Sequence, residues 1–436
     1  MSVFHHMQRG DFTLPEAGRH YAPDLQIEPI HLDLHITPDL ESQTLDGKIY
    51  HRVRINVDGA SSLELHAIDL EIVSVQVVDN DTKVPLEGNE IDWYYDDKAI
   101  DIQFRNDLKE GDECTIEIKY QVCNPVGGLY FGGPTPEVPN RGLWMCSDHE
   151  TQRARYWFPC FDHSNVRTTV DVFITHKKAF TALGPGRLVS EQKSNLKGYR
   201  ISHWSLHLPC PSYLLCVAVG DFVKWDGGTY NGKPVAAFAP KPITEADLER
   251  NFKPTVEMIA LLSETLSELP WDKYYQFAVP GLGGAMENIS LVTWDEYWVF
   301  DEVMHEDLGT LVDQINLHEL AHTWFGDLIV CRDYAHVWLK ESWATYMETV
   351  WKEKTMDADS YHMELISQRR RYFGEVKSRY SRPIQTRVFD TPWQMYDAHL
   401  YPGGSVRLHM LRKKVGDDIF WKGVQNYIQV YSHRVV

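Results

Sequence analysis

Apolar and polar positions alternate with a period of two through most of the first half of this chain and with a helical period through most of the second. From about Leu25 to Phe222 the alternating runs include His31-Leu32-Asp33-Leu34-His35-Ile36, Lys48 to Val57, Ala99 to Phe104 and Thr115 to Val122, the pattern of strands with one buried face. Turn signals at Asp79-Asn80-Asp81, Gly88-Asn89 and Gly127-Gly128 cut these runs short, which predicts a sheet-rich domain. Gly227-Gly228 and Asn231-Gly232 then read as a junction. Beyond it Leu248, Phe252, Val256, Ile259 and Leu262 recur at three- and four-residue steps and predict one buried helical stripe over 246–269. Further helices are predicted over 306–325, 337–352, 405–415 and 417–431. The expected fold class is α+β and multidomain: a polar leader over 1–22, an antiparallel β-sheet-rich domain over 23–226, and a mainly helical domain over 227–436.

Composition narrows the classes of function. A formal charge of −19 over 436 residues argues against a nucleic-acid partner, since phosphate binding needs a basic face. It suits a site that attracts cationic groups, but solubility is the favoured account. Seven cysteines without C-x-x-C spacing read as buried small hydrophobes in a reducing compartment. The leader has no apolar run of signal-peptide length, and no stretch is apolar for about 18 residues. The expectation is therefore a cytoplasmic protein with no membrane partner, with His5-His6 in a disordered tail. Arg369-Arg370-Arg371, after the amphipathic stretch Tyr361 to Ile366, predicts a solvated helix face. Oligomeric state has no signature here.

The richest chemistry sits in His318-Glu319-Leu320-Ala321-His322. Two histidines four apart share one face of a helix and reach a single zinc ion. Glu319 lies beside that face, placed to take a proton from the water of such a site without ligating the metal. Catalytic zinc generally takes three protein ligands and keeps a fourth position open. Glu341, nineteen residues after His322, is the downstream carboxylate with suitable surroundings. Its segment carries Leu339, Trp343, Tyr346 and Val350 at helical steps, and Gly326 closes the preceding helix. Two packed helices would aim His318, His322 and Glu341 at one metal.

Gly284-Ala285-Met286-Glu287-Asn288, the stretch from His318 to Trp324-Phe325-Gly326, Trp338-Leu339-Lys340-Glu341 and Tyr401-Pro402-Gly403-Gly404 occur in this order. With Pro211-Ser212-Tyr213-Leu214-Leu215 and Gly220-Asp221-Phe222 before them, the chain resembles the aminopeptidase N family of gluzincin zinc metallopeptidases over most of its length. The resemblance implies a thermolysin-like catalytic domain, one Zn2+ per chain, and hydrolysis of N-terminal residues from peptides with a free N-terminus. It implies that Glu287, in a Gly284–Asn288 strand edge lining the substrate groove, holds the α-amino group. It also implies that Tyr401 steadies the oxyanion, a hydrogen bond worth on the order of 3 kcal/mol. The segment from His149 to Asp162 resembles the family's N-domain loop, and that resemblance, counted back from Pro159-Cys160-Phe161-Asp162, implies Glu150 as a second amine-binding group, against the plainer reading of an exposed loop glutamate.

The sequence departs from the family pattern in places. Gly403 stands where lysine is common after the tyrosine, and Lys340 and Ser342-Trp343 flank Glu341 where asparagine and glycine-aromatic are usual. Family members continue into further helices and a helical C-terminal domain, so a chain ending at Ser432-His433-Arg434-Val435-Val436 is expected to be C-terminally truncated. An aminopeptidase-like scaffold that binds partners without turnover is the alternative reading. Hydrolysis of an epoxide lipid has no positive support in the residues.

Overall fold

The computed structural model describes residues 10–86 and 91–436. The Gly88-Asn89 turn and the His5-His6 tail lie outside the described residues. The chain divides into two compact units, one formed by Pro23–Lys253 with Trp271–Gly309, the other by Met1–Ala22, Pro254–Pro270 and Thr310–Val436.

The first unit is strand-rich. Its largest sheet has seven strands, in the order Arg187–Lys193, Tyr199–Cys210, Thr168–Lys177, Ile27–Asp39, Thr44–Ile55, Glu113–Cys123 and Glu71–Val78. Period-two alternation produces it. In Ile27–Asp39 the side chains of Leu32, Leu34 and Ile36 are buried while their neighbours face outward, as a half-buried strand requires. Neighbouring strands are antiparallel except Ile27–Asp39 and Thr168–Lys177, which pair in parallel from His31↔Thr169 to Ile36↔Ile174. A separate five-stranded mixed sheet runs from Phe222–Tyr230 through Lys233–Pro240, Tyr274–Val279 and Leu291–Asp295 to the two-residue strand Ala285–Met286 at its edge.

Two expectations change here. The Gly227-Gly228 and Asn231-Gly232 pairs are not a linker but a bulge and the turn of one hairpin joining Phe222–Tyr230 to Lys233–Pro240. The stripe over 246–269 is two helices, α1 (Glu245–Phe252) and α2 (Thr255–Thr265). Pro254 separates them, because proline lacks the N–H that would continue the ladder, although Lys253 before it keeps helical geometry and donates to Glu249 O. α1 opens on a Thr244–Asp247 capping box.

The second unit is helical. It holds α2, most of α3 (Glu302–His322), α4 (Trp338–Thr355), α5 (Ala358–Ser378), α6 (Tyr401–Val415) and α7 (Asp417–Tyr431). α4 is buried on every face from Lys340 to Trp351, not along one stripe, so each polar side chain in that stretch needs an internal partner. The end of the leader is packed rather than loose. Gly10 N–H donates to Arg379 O at 3.0 Å, Phe12 meets Tyr380 edge-on, and the His20 ring stacks on Phe389 at 4.2 Å. No helix among the described residues is long and apolar enough to cross a membrane.

Candidate metal centre

The three predicted metal donors come from two helices of the helical unit. His318 and His322 occupy the last turns of α3, and Glu341 lies in the first turn of α4. The two helices meet so that Glu341 Oε2 lies 3.3 Å from His318 Nε2 and 3.4 Å from His322 Nε2. Zinc bonds of about 2.0–2.2 Å in tetrahedral geometry require donor atoms about 3.3–3.5 Å apart, so the spacing fits one ion.

Protonation gives an independent test of that fit. His322 Nδ1 lies 3.0 Å from the Phe325 carbonyl, which can only accept; the proton is therefore on Nδ1, and the Nε2 lone pair turns toward the site. Gly326 keeps this contact open: at φ +138° it adopts a conformation unfavourable to other residues, and a Cβ there would lie 3.2 Å from His322 Nδ1. His318 Nδ1 lies 2.6 Å from Glu348 Oε1, and Gln314 donates to the other Glu348 oxygen. Both imidazoles are thus oriented from behind.

Electrostatics agree. Burial alone would discharge His318, but the hydrogen bonds its ring donates to Glu341 and Glu348 outweigh it and raise its pKa well above the ordinary value. Burial would likewise raise the Glu341 pKa, yet the charges of Lys340 and His322 hold it well below the usual carboxylate range. The pocket favours positive charge where the three donors converge. Lys340 Nζ lies 2.9 Å from Glu341 Oε1, leaving Oε2 to face the histidines.

Glu319 and Tyr401 line the same cavity as His318, about 490 Å³ in volume. Tyr401 is the first residue of α6, with its ring centre 6.0 Å from that of His318. Several contacts set its place. Its N–H donates to Asp397 O at 3.1 Å, while Asp397 Oδ1 accepts from the N–H groups of His399 and Leu400 at 3.0 and 2.9 Å. Buried Arg382 grips both Asp397 oxygens at 2.7 Å. Ser342 Oγ donates to Leu400 O at 2.7 Å.

The departures from the family pattern fall among these contacts. Gly403 leaves no room for a side chain, since a Cβ would lie 2.8 Å from the Tyr372 ring and 2.9 Å from Ala398 O. Gly404 lets α6 approach α4 so closely that a Cβ would sit 1.8 Å from Ser342 Oγ. Ser342 and Lys340 both bond to the machinery they flank.

The remaining predicted residues belong to the strand-rich unit. Ala285–Met286 is the edge strand, paired antiparallel with Leu291–Asp295, and Gly284 O accepts from Asp295 N–H at 2.6 Å. Glu287 and Asn288 follow it and are buried. Glu150 is also buried, contrary to an exposed loop position. Near them stands Asp148, which sequence reasoning missed. Burial, with a contribution from the charge of Glu287, pushes its pKa up to about 6, while Thr293 Oγ1 donates to it at 3.1 Å. Glu348, Lys340 and Asp397 were missed too. Glu348 had a signal: seven residues after Glu341, it falls two turns further along the same helix face.

A strand-rich unit, with a helical unit carrying H-E-x-x-H and a glutamate from a second helix, is the architecture of zinc metallopeptidases. Residues 28–214 match the Peptidase M1 N-terminal domain and residues 250–436 the Peptidase family M1 domain; the chain belongs to peptidase family M1. It is 24% identical over 439 residues to Aminopeptidase 2, mitochondrial, of Saccharomyces cerevisiae, covering 95% of this chain and 44% of that protein. With human endoplasmic reticulum aminopeptidase 2 the identity is 26%, covering 93% of this chain and 43% of the other. The chain thus spans less than half the length of these relatives. Its fold matches an M1 zinc metallopeptidase from Deinococcus radiodurans, solved with a Tyr-Ser-Ala substrate, at a TM-score of 0.75 and 22% identity over 98% of this chain and 91% of that one. Yeast LTA4 hydrolase in complex with bestatin aligns at a TM-score of 0.78 and 19% identity over 94% and 63% of the respective chains.

Proposed function

We propose that this protein is a zinc-dependent aminopeptidase that removes N-terminal residues from peptides and holds one zinc ion per chain. The observation that carries the reading is the convergence of His318, His322 and Glu341 at donor spacings of 3.3 and 3.4 Å, with Glu319 and Tyr401 lining the adjoining cavity. M1 relatives named as aminopeptidases support it. His318, His322 and Glu341 would hold the zinc ion, which when bound would supply an acidified water with a pKa of about 7 and a Lewis acid for the substrate carbonyl.

The protein's own groups do the rest. Glu319 takes the proton of the attacking water and returns it to the departing amine. Tyr401 donates a hydrogen bond to the carbonyl oxygen as negative charge builds there. The edge strand Ala285–Met286 offers backbone groups to an extended peptide, and Glu287 and Glu150 hold its ammonium by charge-assisted hydrogen bonds. Free thiols at all seven cysteines favour a reducing, cytoplasmic compartment.

The test is hydrolysis of a panel of aminoacyl chromogenic amides by the wild type, by the chelated protein and by Glu319→Gln. Glu319→Gln should retain zinc by elemental analysis and lose about 10²- to 10⁴-fold in kcat, the usual worth of a general base. Equal rates in wild type and variant reject the enzyme and leave a scaffold without turnover.

A further inference from the structure

The cavity beside Glu319 carries one charged side chain that the scheme above does not use. All of its lining residues belong to the helical unit, and its volume of about 490 Å³ lies in the range of pockets that take small ligands. Most of its charges are committed. Glu348 is bound by His318 and Gln314, Asp397 by Arg382, and Glu319 is assigned as the base. Arg371 differs. Its guanidinium stands 3.7 Å from Glu364, beyond hydrogen-bond length. That carboxylate already accepts from Lys352 at 2.7 Å and from Gln368 at 3.2 Å.

Arg369, Arg370 and Arg371 are all exposed, as a solvated helix face requires, and Arg371 in addition borders the cavity. Its side chain is 54% accessible and forms part of the cavity wall. A guanidinium presents paired donors that match a carboxylate. Position selects which carboxylate. The departing amine receives its proton from Glu319, so the residue carrying that amine lies against the wall that bears Glu319, which is the wall of this cavity.

We propose that Arg371 binds a carboxylate on the leaving-group side of the substrate, either the free C-terminus of a short peptide or an acidic side chain immediately after the scissile bond. The inference rests on the aminopeptidase reading and adds a substrate class to it: short or acidic peptides.

Four substrates sharing the best first residue test it: aminoacyl-alanine, its C-terminal amide, aminoacyl-glutamate amide and aminoacyl-glutamine amide. In the wild type at least one charged member should exceed its neutral counterpart in kcat/KM by about tenfold, the worth of one charge-assisted hydrogen bond. A preference within the alanine pair identifies the terminal carboxylate as the ligand; within the glutamate–glutamine pair, the side chain. Arg371→Gln should bring that ratio near one, and Arg371→Lys should retain part of it. The side chain is half exposed on a helix, so neither replacement threatens folding. Wild-type ratios near one in both pairs, or a preference that survives Arg371→Gln, overturn the proposal. Failure to cleave any of the four, or any chromogenic amide, would reject the underlying activity and this inference with it.

Discussion

Asp148 is the residue whose chemistry the surroundings alter most usefully. Its pKa stands near 6, raised by burial and by the charge of Glu287. The sign follows directly: above pH 6 the carboxylate is ionised and would add to the attraction on the ammonium of the proposed substrate, and below pH 6 it is neutral. KM for aminoacyl amides should therefore rise as pH falls through about 6, and Asp148→Asn should flatten that rise in a pH series of KM. A flat wild-type profile would exclude the contribution. As the proposed oxyanion donor, Tyr401 is expected to act on kcat instead. Tyr401→Phe removes one oxyanion donor and should lower kcat by about 10²- to 10³-fold with little change in KM. Glu348 orients a metal ligand through His318 Nδ1, so Glu348→Gln should weaken zinc affinity by about 10- to 100-fold in a chelator competition.

At the scale of elements, the contact between α4 and α6 decides where Tyr401 stands. Gly404 admits Ser342 Oγ into the space a Cβ would fill. Gly404→Ala should cost about 1–3 kcal/mol through overpacking, read as a lowered denaturation midpoint. Ser342→Gly vacates the clashing atoms, so the double variant should recover most of that loss; additive losses would show that the contact is not the cause. The turn before α6 is held by the buried Arg382–Asp397 pair at 2.7 Å. Asp397→Asn leaves Arg382 with an uncompensated buried charge and should destabilise the protein by about 3–5 kcal/mol.

At the scale of the whole molecule, the metal donors lie entirely in the helical unit, while Glu287 and Glu150 lie in the strand-rich unit. Ligand binding stabilises only the structure that binds, by about 4 kcal/mol at a thousandfold excess over Kd. Chelation should therefore raise amide hydrogen exchange in α3 and α4 and leave the seven-stranded sheet nearly unchanged. Uniform loss of protection across both units would contradict this division. The legibility of the fold divides along similar lines. Strands such as Ile27–Asp39 were readable because one buried face imposes a period of two. The 246–269 stripe divides because Pro254 breaks a helix without interrupting the apolar spacing, and the full burial of α4 was hidden because its polar residues look like a solvent face until their partners are known.

Within one helix, 3.6 residues per turn converts sequence spacing directly into position. For that reason the sequence alone determined that His318 and His322 share a face with Glu319 beside it, and placed Glu341 on a second helix. Distances between elements follow no such rule, because they depend on how side chains far apart in the chain pack. Only the tertiary structure decided that Glu341 meets both imidazoles at 3.3 and 3.4 Å, that Glu348 and Phe325 O orient the rings from behind, and that Asp397, gripped by Arg382, sets the turn that presents Tyr401.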